Sequence, residues 1–426
     1  MRVGVVGAGF AGLRAAMLLE SSGAEVRVFE ARNRVGGRCQ TVDEGGGVQY
    51  EAGGEWIDAD HLRVLRLLQS FGMEPAHRDA LPRKLIHRGR ETTALDIWSD
   101  ALEDELRVEA AAKELCKNLH LPIWKNPTAK SLDDRTLADF IREHALTERG
   151  RWWVTSMFRS DEGDDLERIG LLGWLAGILK TAERDGDELS AFRFEGGSSR
   201  VLAAMQSSLS TDVQFGRILR RVSQEGKGVT LIFEDGIERF DQVVLTLPPP
   251  ALEQVVFEPA LSARKRCAIE GYRMSRAIKI SWEFDHAWWE DDGWGGSLQC
   301  DGPLQQTWSA GLGGAPVLSA YICGKEARDW MQLGDPVRAG VYELSVLFPA
   351  AARHFRRGWT HNWPDDPFAM GAFSHLAPGF VLEHLAHVAP PERRIHFAGE
   401  HTATWNGFIE GALESAERAH AEVMSA

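Results

Sequence analysis

The sequence predicts an α/β fold with two domains, and three observations support that prediction. The first thirty residues alternate a short apolar stretch, a glycine-rich turn, a helix-like stretch and a second apolar stretch. Strands that alternate with helices are typical of a parallel sheet covered by helices. Further short apolar stretches follow between residues 229 and 284. With 426 residues the chain is also too long for a single hydrophobic core.

The first element is a predicted buried parallel strand, Arg2–Val6, which is short, apolar and β-branched. Gly7, Gly9 and Gly12 follow in G-x-G-x-x-G spacing, and Leu13–Ser22 is predicted to be a helix. In this arrangement one glycine allows a tight turn, one lets a pyrophosphate approach the backbone, and one lets the helix pack closely on the strand. The free N–H groups and the dipole at the helix N-terminus then favour phosphate binding.

The second predicted strand, Glu25–Phe29, ends at Glu30. An acid about twenty residues beyond the glycines can accept hydrogen bonds from ribose hydroxyls. An ordinary glycine-rich turn would leave Glu30 unexplained. We therefore predict a Rossmann-type dinucleotide site, and the glycine pattern leaves NAD(H), NADP(H) and FAD open as its ligand.

Four further stretches narrow that choice: ARNRVGGR at residues 31–38, YEAGGEW at 50–56, IHFAGE at 395–400 and TATWNGFIEGA at 402–412. In combination they resemble the flavin-containing amine oxidase family, which includes the monoamine and polyamine oxidases. The resemblance implies an α/β fold in which a Rossmann-type FAD-binding domain carries an inserted α+β substrate domain. It also implies that FAD is the cofactor.

The resemblance further implies that each domain is discontinuous in sequence. The FAD-binding domain is expected to comprise residues 1–75, 190–255 and 355–426, and the substrate domain residues 76–189 and 256–354. Residues 76–190 have helical spacing, so we predict that they are mostly helical. Residues 255–355 are predicted to be rich in strands, with one strand at Ala277–Phe284 and a turn at Asp285–Trp289.

The resemblance assigns cofactor-binding roles residue by residue, and Ile218 falls where backbone groups of the family meet the adenine ring. The implied cofactor-binding residues are Gly7, Gly9, Ala11, Gly12, Glu30, Ala31, Arg32, Gly37, Arg38, Gly53, Gly54, Glu55, Trp56, Ile218, Trp363, Gly399, Glu400, Gly407, Phe408 and Ile409.

Lys279 is the first candidate catalytic residue. It lies between Ile278 and Ile280 in a predicted strand, where alternation would allow it to point to solvent. By the resemblance, its position matches a lysine that holds a water near the flavin N5 and assists the reaction with oxygen. Trp363 similarly matches the flavin-lining loop of the family.

Phe373 and Phe408 match two aromatic residues that form a substrate cage beside the flavin, although both could be plain core residues. Monoamine oxidases have tyrosine at both positions. Ala372 stands where monoamine oxidases carry a flavin-linked cysteine, and residues 324–426 contain no cysteine. We therefore expect the FAD to be bound non-covalently.

The segment Gly407–Ala412 leads into a predicted helix. In this family the N-terminus of that helix faces the flavin N1 and C2 carbonyl, where its partial positive charge would stabilise developing negative charge. Glu410 could be a carboxylate near a helix cap or a ligand of the substrate, and the sequence leaves both roles open.

The activity that the resemblance implies is removal of a hydride from the carbon next to an amine nitrogen. The resulting imine would hydrolyse to a carbonyl compound, and oxygen would be reduced to hydrogen peroxide. An L-amino-acid oxidase or monooxygenase of the same superfamily would need an arginine for the substrate carboxylate. A desaturase-type or porphyrinogen-type oxidoreductase would act on large apolar substrates. A flavin-binding protein without catalysis would be reduced only slowly by any of these compounds.

The resemblance implies an amine and oxygen as small-molecule partners, and the bulk properties disfavour larger ones. The formal net charge of −14 disfavours nucleic acid. It either solubilises the surface or steers a cationic substrate. No apolar run is long enough to span a membrane and no signal peptide is evident, so we expect a soluble, cytoplasmic protein. The five cysteines lack metal-type spacing, so no metal is expected, and a homodimer is left open.

Overall fold

The structure is a computed structural model, and it describes residues 1–77, 83–92, 94–181, 190–226, 228–291 and 293–426. The strands in these ranges are β1 (Arg2–Val6), β2 (Glu25–Phe29), β3 (Thr41–Asp43), β4 (Gln49–Glu51), β5 (Trp56–Ile57), β6 (Pro75–His77), β7 (Arg83–His87), β8 (Arg90–Thr92), β9 (Phe192–Phe194), β10 (Leu219–Glu225), β11 (Gly228–Phe233), β12 (Gly236–Phe240), β13 (Gln242–Leu245), β14 (Val256–Glu258), β15 (Arg273–Met274), β16 (Ala277–Phe284), β17 (Ser297–Cys300), β18 (Gln306–Ser309), β19 (Val317–Cys323), β20 (Phe355–Asn362), β21 (Ser374–His375) and β22 (Ile395–Phe397).

The helices in the same ranges are α1 (Phe10–Ser21), α2 (Leu62–Ser70), α3 (Ala94–Cys116), α4 (Lys130–Asp133), α5 (Leu137–His144), α6 (Glu148–Glu162), α7 (Leu171–Lys180), α8 (Ser198–Ser207), α9 (Pro249–Leu252), α10 (Ala263–Gly271), α11 (Trp288–Asp291), α12 (Gly324–Met331), α13 (Pro336–Leu347), α14 (Ala350–His354) and α15 (Ile409–Met424). None of these helices has both the length and the apolar character that a membrane span requires.

A four-stranded parallel sheet in the order β2-β1-β13-β22 positions the glycine-rich turn. Helix α1 packs against β1 and α15, and Leu13, Ala16, Leu413 and Ala416 are buried between these elements. The strands come from three distant parts of the chain. Their carboxyl ends meet at one edge, where ligands bind in open α/β sheets.

A second, seven-stranded sheet has the order β20-β16-β19-β18-β17-β7-β8. Strand β16, which carries Lys279, pairs antiparallel with β19 and β20, so it lies in the interior of this sheet. Helices α12, α13 and α14 cover the sheet around the buried rings of Trp282, Trp288 and Trp289. Helices α3, α5, α6 and α7 form a separate layer with its own apolar core.

The local predictions from sequence are mostly confirmed, with a few differences in extent. Strands β1, β2 and β16 have the predicted bounds, and residues 94–181 are largely helical. Helix α1 begins three residues earlier than predicted, at Phe10. The predicted turn after β16 is partly helical, at Trp288–Asp291.

Two regional predictions were wrong in part. Residues 83–92 form β7 and β8, because β7 pairs in parallel with β17, a partner more than 200 residues away. Local helical spacing carries no information about such a partner. Residues 255–355 contain helices α10 to α14 as well as strands. Residues 182–189, which the predicted helical segment included, lie outside the described residues. The division into an FAD-binding and a substrate domain stays a prediction.

Candidate functional site

One cavity of about 1540 Å³ runs from the carboxyl edge of the parallel sheet to β16 and α6. Ordinary ligand pockets have volumes of roughly 300–1,000 Å³, so this cavity has room for a large cofactor and a second molecule. All of the predicted site residues except Gly12 line it, namely Gly7, Gly9, Ala11, Glu30, Ala31, Arg32, Gly37, Arg38, Gly53, Gly54, Glu55, Trp56, Ile218, Lys279, Trp363, Phe373, Gly399, Glu400, Gly407, Phe408 and Ile409.

The glycine-rich turn brings bare backbone to the cavity wall. Gly7 has a φ of +101°, and a Cβ there would lie 2.3 Å from Thr246 Oγ1. A Cβ on Gly12 would lie 1.8 Å from the Gly7 carbonyl oxygen, so Gly12 allows close packing of α1 and does not touch the cavity. Helix α1 has no side-chain cap at its N-terminus, where Gly9 and Ala11 line the cavity. These features fit a phosphate group.

Glu30 is held in place by backbone N–H groups. Its side chain is only about 4% exposed, and its carboxylate accepts hydrogen bonds from Ala8 N (2.8 Å) and Arg32 N (2.9 Å). A carboxylate offers about four lone pairs, so two remain for a ligand in the cavity. The Arg217 N–H donates to the Glu30 carbonyl at 2.9 Å, which places the neighbouring Ile218 beside Glu30.

Two arginines of the 31–38 segment are tied to acidic partners. The Arg32 guanidinium donates to Asp366 and lies over the Phe368 ring. Arg38 donates to Glu400 at 2.7 Å. Each positive charge on this wall is therefore compensated within the protein, and neither arginine is a free anion receptor.

The Glu400 carboxylate joins three segments of the wall. It also accepts hydrogen bonds from the Ser374 hydroxyl (2.5 Å) and the Gly407 N–H (2.6 Å). Burial by itself would raise the pKa of Glu400, but Arg38 and His401 keep that pKa below its usual value. Glu400 therefore stays ionised and fixes the loops that carry Phe373 and Phe408. Its carboxylate holds these wall segments together, and its predicted contact with the cofactor stays a prediction.

The Gly53–Gly54 pair also allows a close approach of chain segments. A Cβ on Gly53 would lie 1.9 Å from the Arg38 carbonyl oxygen. The Trp363 indole N–H donates to Ala52 O at 2.9 Å, which fixes its ring against the same segment. Trp363 is buried and lines the cavity, and its position against the flavin stays a prediction.

Lys279 lies in the cavity wall, so the alternative in which it faces solvent does not apply. Its side chain is about 6% exposed. The ammonium donates to Glu55 Oε1 (2.6 Å), Gly53 O (2.7 Å) and Glu51 O (3.3 Å). These three protein acceptors match the three N–H donors of an ammonium group.

Phe373 and Phe408 both line the cavity, close to Gly407. A Cβ on Gly407 would lie 3.3 Å from the Phe373 ring. Phe408 is 42% exposed, which does not fit a plain core residue. Its ring stands edge-on to Trp405 at a centroid distance of 5.9 Å. Trp405 lies within the TATWNGFIEGA stretch, but sequence reasoning did not single it out as part of the site.

Helix α15 begins at the cavity, with Gly407, Phe408 and Ile409 in its wall. Glu410 is 1% exposed and points elsewhere, because it accepts hydrogen bonds from Arg63 N and Val64 N in the first turn of α2. Glu410 is therefore the carboxylate near a helix cap, the first of the two roles that the sequence left open.

Two acidic residues at the end of α6 were missed by sequence reasoning. Asp161 and Glu162 line the cavity, and a Cβ on the adjoining Gly163 would lie 2.5 Å from the Phe373 ring. Among the described residues neither carboxylate has a hydrogen-bond donor or an ion-pair partner. Both side chains are accessible from the cavity, yet the surrounding protein atoms raise the pKa of each to about 7, with a smaller effect from neighbouring acids. An Asp-Glu pair just before a glycine that ends a helix is their only sequence signal.

The cysteines near the cavity are in the protonated form. Cys39 and Cys116 line the cavity, and burial raises the pKa of both, in Cys39 to about 12. All five cysteines of the chain are free thiols. Ala372 also lines the cavity, so no thiol stands at the position that carries the covalent link in monoamine oxidases.

Potential metal ligands gather at two places in the described ranges. Asp285 accepts hydrogen bonds from the Nδ1 atoms of His286 (2.7 Å) and His354 (2.9 Å) on the surface. The second group comprises Asp58, Asp60 and His61, and Asp58 lines the cavity. The surface group is satisfied by its own hydrogen bonds, and we assign no metal to either group.

Known proteins that resemble this chain belong to a family of flavin enzymes, which fits a cavity with room for a large cofactor. Residues 10–424 match the family described as flavin containing amine oxidoreductase. The chain therefore belongs to that family, whose members bind a flavin.

Named relatives cover almost the whole chain. A Bos taurus flavin-containing amine oxidase A is 25% identical over 99% of this chain and 84% of the relative. An L-amino acid dehydrogenase of Synechocystis sp. is 24% identical over 97% of this chain and 93% of the relative. The solved cyclohexylamine oxidase from Brevibacterium oxydans IH-35A aligns with this chain with a TM-score of 0.87 at 24% identity. The alignment covers 100% of this chain and 98% of the oxidase, so the two proteins share the two-domain α/β fold.

Proposed function

We propose that this protein is an FAD-dependent oxidase that takes a hydride from the carbon next to an amine nitrogen. The imine product hydrolyses to a carbonyl compound, and oxygen is reduced to hydrogen peroxide. The single observation that carries the proposal is the continuous cavity, because it joins a phosphate-compatible glycine turn to a pocket walled by aromatic rings. Family membership supports the same assignment.

The residues that would hold FAD lie at one end of the cavity. The N-terminus of α1 would bind the pyrophosphate, Glu30 the ribose hydroxyls, and the backbone near Ile218 the adenine. When bound, FAD supplies a hydride acceptor and afterwards passes two electrons to oxygen. The N-terminus of α15 would stabilise negative charge that develops near it, since its first N–H groups have no side-chain cap.

We infer that the FAD is bound non-covalently, because Ala372 and the protonated Cys39 offer no thiolate. Acid precipitation should release all of the yellow colour into the supernatant. Colour that stays with the pellet would contradict this inference. Heat denaturation, followed by chromatography of the released flavin, would serve as an independent control.

The substrate end combines apolar rings with acidic groups. Phe373, Phe408 and Trp405 can flank an amine through their ring faces, and their low polarity favours the neutral amine that hydride loss requires. Asp161 and Glu162, when ionised, attract a cationic amine into the cavity. Lys279 would act at the flavin-facing wall during the reaction with oxygen.

Oxidation or dehydrogenation of an L-amino acid is the second candidate, since one relative is named L-amino acid dehydrogenase. That reaction would need a cation for the substrate carboxylate. Several arginines that line the cavity are already engaged, with Arg32 on Asp366, Arg38 on Glu400 and Arg217 on Asp235. At the substrate end, ionised Asp161 and Glu162 repel a carboxylate and favour an amine, whereas Lys180 beside Trp405 is the cation that an amino acid would use.

Anaerobic mixing of the purified protein with a panel of amines and L-amino acids would test the function. We expect flavin bleaching by amines, and hydrogen peroxide once oxygen is admitted. Bleaching by amino acids alone would support the second candidate, and bleaching without peroxide would indicate a dehydrogenase. A protein that no member of either panel reduces would contradict both. A cytoplasmic location and a homodimer stay predictions.

A further inference from the structure

Glu55, which is buried, lies between the buried ammonium of Lys279 and the partly buried guanidinium of Arg193. Its Oε1 accepts a hydrogen bond from Lys279 Nζ at 2.6 Å, and its Oε2 lies 2.6 Å from a terminal nitrogen of Arg193. Glu55 and Lys279 line the cavity, whereas Arg193 does not. The carboxylate is therefore a bridge between the cavity wall and a cation behind that wall.

Two tryptophan rings complete this arrangement. The Arg193 guanidinium lies 5.3 Å from the centre of the Trp56 ring, and Lys279 Nζ lies 5.3 Å from that of Trp308. The two rings contact each other edge-on at 6.0 Å. Arg193 also donates to Ala310 O at 3.0 Å. Arg193 is thus fixed from several sides and can hold Glu55 in one orientation.

Glu55 and its neighbour Glu51 have opposite electrostatic environments although both are buried. Burial raises the pKa of Glu51. Burial would do the same to Glu55, but Lys279 and Arg193 hold the pKa of Glu55 below its usual value. Glu55 is therefore ionised, and it is the counter-charge that Lys279 and Arg193 share.

We propose that Glu55 is a positioning residue that, fixed by Arg193, holds the Lys279 ammonium at the flavin-facing wall and so governs the reaction with oxygen. The proposal rests on the proposed function, because it places Lys279 beside the flavin. It assigns to Glu55 a side-chain role beyond a general cofactor contact.

Removing the carboxylate changes how many oxygens residue 55 offers to the two cations. Glu55 offers one oxygen to Lys279 and one to Arg193, whereas glutamine offers a single amide oxygen. In Glu55→Gln one cation therefore loses its contact with the residue 55 oxygen, and neither cation keeps a counter-charge. Breaking a buried ion pair by neutralising one partner is strongly destabilising because the other charge stays buried. Both cations keep backbone acceptors and a ring contact in this variant: Lys279 keeps the Gly53 and Glu51 carbonyls and Trp308, and Arg193 keeps the Ala310 carbonyl and Trp56. What Lys279 loses is therefore the anion that fixes its charged end.

The kinetic test separates the two half-reactions. Wild type and Glu55→Gln are reduced photochemically without any amine, and the rate of reoxidation by oxygen is then measured. We expect reoxidation to slow roughly tenfold or more in Glu55→Gln and in Lys279→Met, whereas reduction by an amine changes less than about twofold. Equal losses in both half-reactions would indicate a merely structural role, and unchanged reoxidation would overturn the proposal.

The second readout is thermal unfolding at saturating FAD. Glu55→Gln should lower the Tm by roughly 5 °C or more, because it leaves the buried Lys279 and the partly buried Arg193 without an anion. Adding Lys279→Met to that variant should raise the Tm again, since one uncompensated charge is removed. Losses that simply add would overturn the proposal. Glu283→Gln is the control. Glu283 lies on β16, the strand that carries Lys279, and its carboxylate pairs with the half-exposed Arg357.

The two measurements can test the role of Glu55 even if the protein does not oxidise amines. If no amine reduces the wild-type protein, photochemical reduction still gives the reoxidation rates. The unfolding measurements need no turnover at all. Loss of the proposed function would therefore leave both outcomes for Glu55 readable.

Discussion

The two ends of the cavity treat charge in different ways. At the end formed by the glycine turn, the nucleotide end, the Glu30 carboxylate is anchored by two backbone N–H donors. At the substrate end, Asp161 and Glu162 have raised pKa values and no such donors among the described residues. We therefore expect the nucleotide end to be preorganised for the cofactor, and the substrate end to change its charge when a ligand or a proton binds.

The largest expected effect is at the glycine turn. In Gly12→Val the new side chain would collide with the Gly7 carbonyl, because even a Cβ would lie 1.8 Å from that oxygen. We expect loss of bound FAD and a fall of about 3 kcal/mol or more in the free energy of unfolding. Absorbance of the purified protein and denaturant unfolding would measure both.

Gly177→Ala is the matched control for that variant. Gly177 is also within a helix and lines the cavity, but a Cβ there meets nothing within 4 Å. It should retain FAD and be as stable as wild type or slightly more so. If Gly12→Val retained FAD, the nucleotide end would be able to accommodate a side chain at residue 12, and it would not be preorganised as we expect.

Glu400→Gln should have the next largest effect, since it leaves Arg38 without its carboxylate in a buried site. We expect a loss of about 3 kcal/mol in the free energy of unfolding. Glu417→Gln is the control, because its ion pairs with Arg14 and Arg63 are more exposed and contribute roughly 1 kcal/mol or less. If both variants lost the same free energy of unfolding, the buried pair of Glu400 and Arg38 would contribute no more than the exposed pairs of Glu417.

Glu30→Ala should weaken FAD binding roughly tenfold, because the ribose acceptor is lost and the Ala8 and Arg32 N–H groups lose their partner. Titration of the flavin-free protein with FAD would measure the change. Glu25→Ala, at the exposed start of the same strand, should bind FAD as wild type does. Unchanged affinity in Glu30→Ala would remove Glu30 from the cofactor site.

The smallest effect is the pH dependence that Asp161 contributes, because its side chain is exposed and solvent screens its charge. Its pKa is raised from 3.8 to about 7, so the folded chain binds this proton more tightly than the unfolded chain does. The contribution of Asp161 to stability is therefore greatest below pH 4 and falls as the pH rises toward 7. In Asp161→Asn, the decrease in Tm between pH 5 and pH 8 should be smaller than in wild type.

Asp212→Asn, at an exposed position, should leave that decrease unchanged. If Asp161→Asn also leaves it unchanged, the substrate end does not respond to protons as we propose.

The fold class and the nucleotide end could be predicted from sequence because their determinants are local. Gly7, Gly12 and Glu30 lie within thirty residues, and their roles follow from backbone geometry and strand–helix alternation. The seven-stranded sheet was only partly predicted. Strand β7 depends on β17 for its conformation, and no local pattern in residues 83–87 encodes that partner.

The pairing of charges in the cavity wall could not be predicted from the sequence. Lys279 and Glu55 are separated by 224 residues, and only the packing of β16 against the Gly53–Gly54 segment brings them together. Asp161 was missed because the raised pKa arises from surrounding protein atoms and not from its sequence neighbours. By itself, the sequence determined the nucleotide turn and the family of this protein, since short-range sterics and hydrogen bonds require those residues. The tertiary structure alone decided which buried charges are paired, because desolvation and pairing depend on what the folded chain places beside each group.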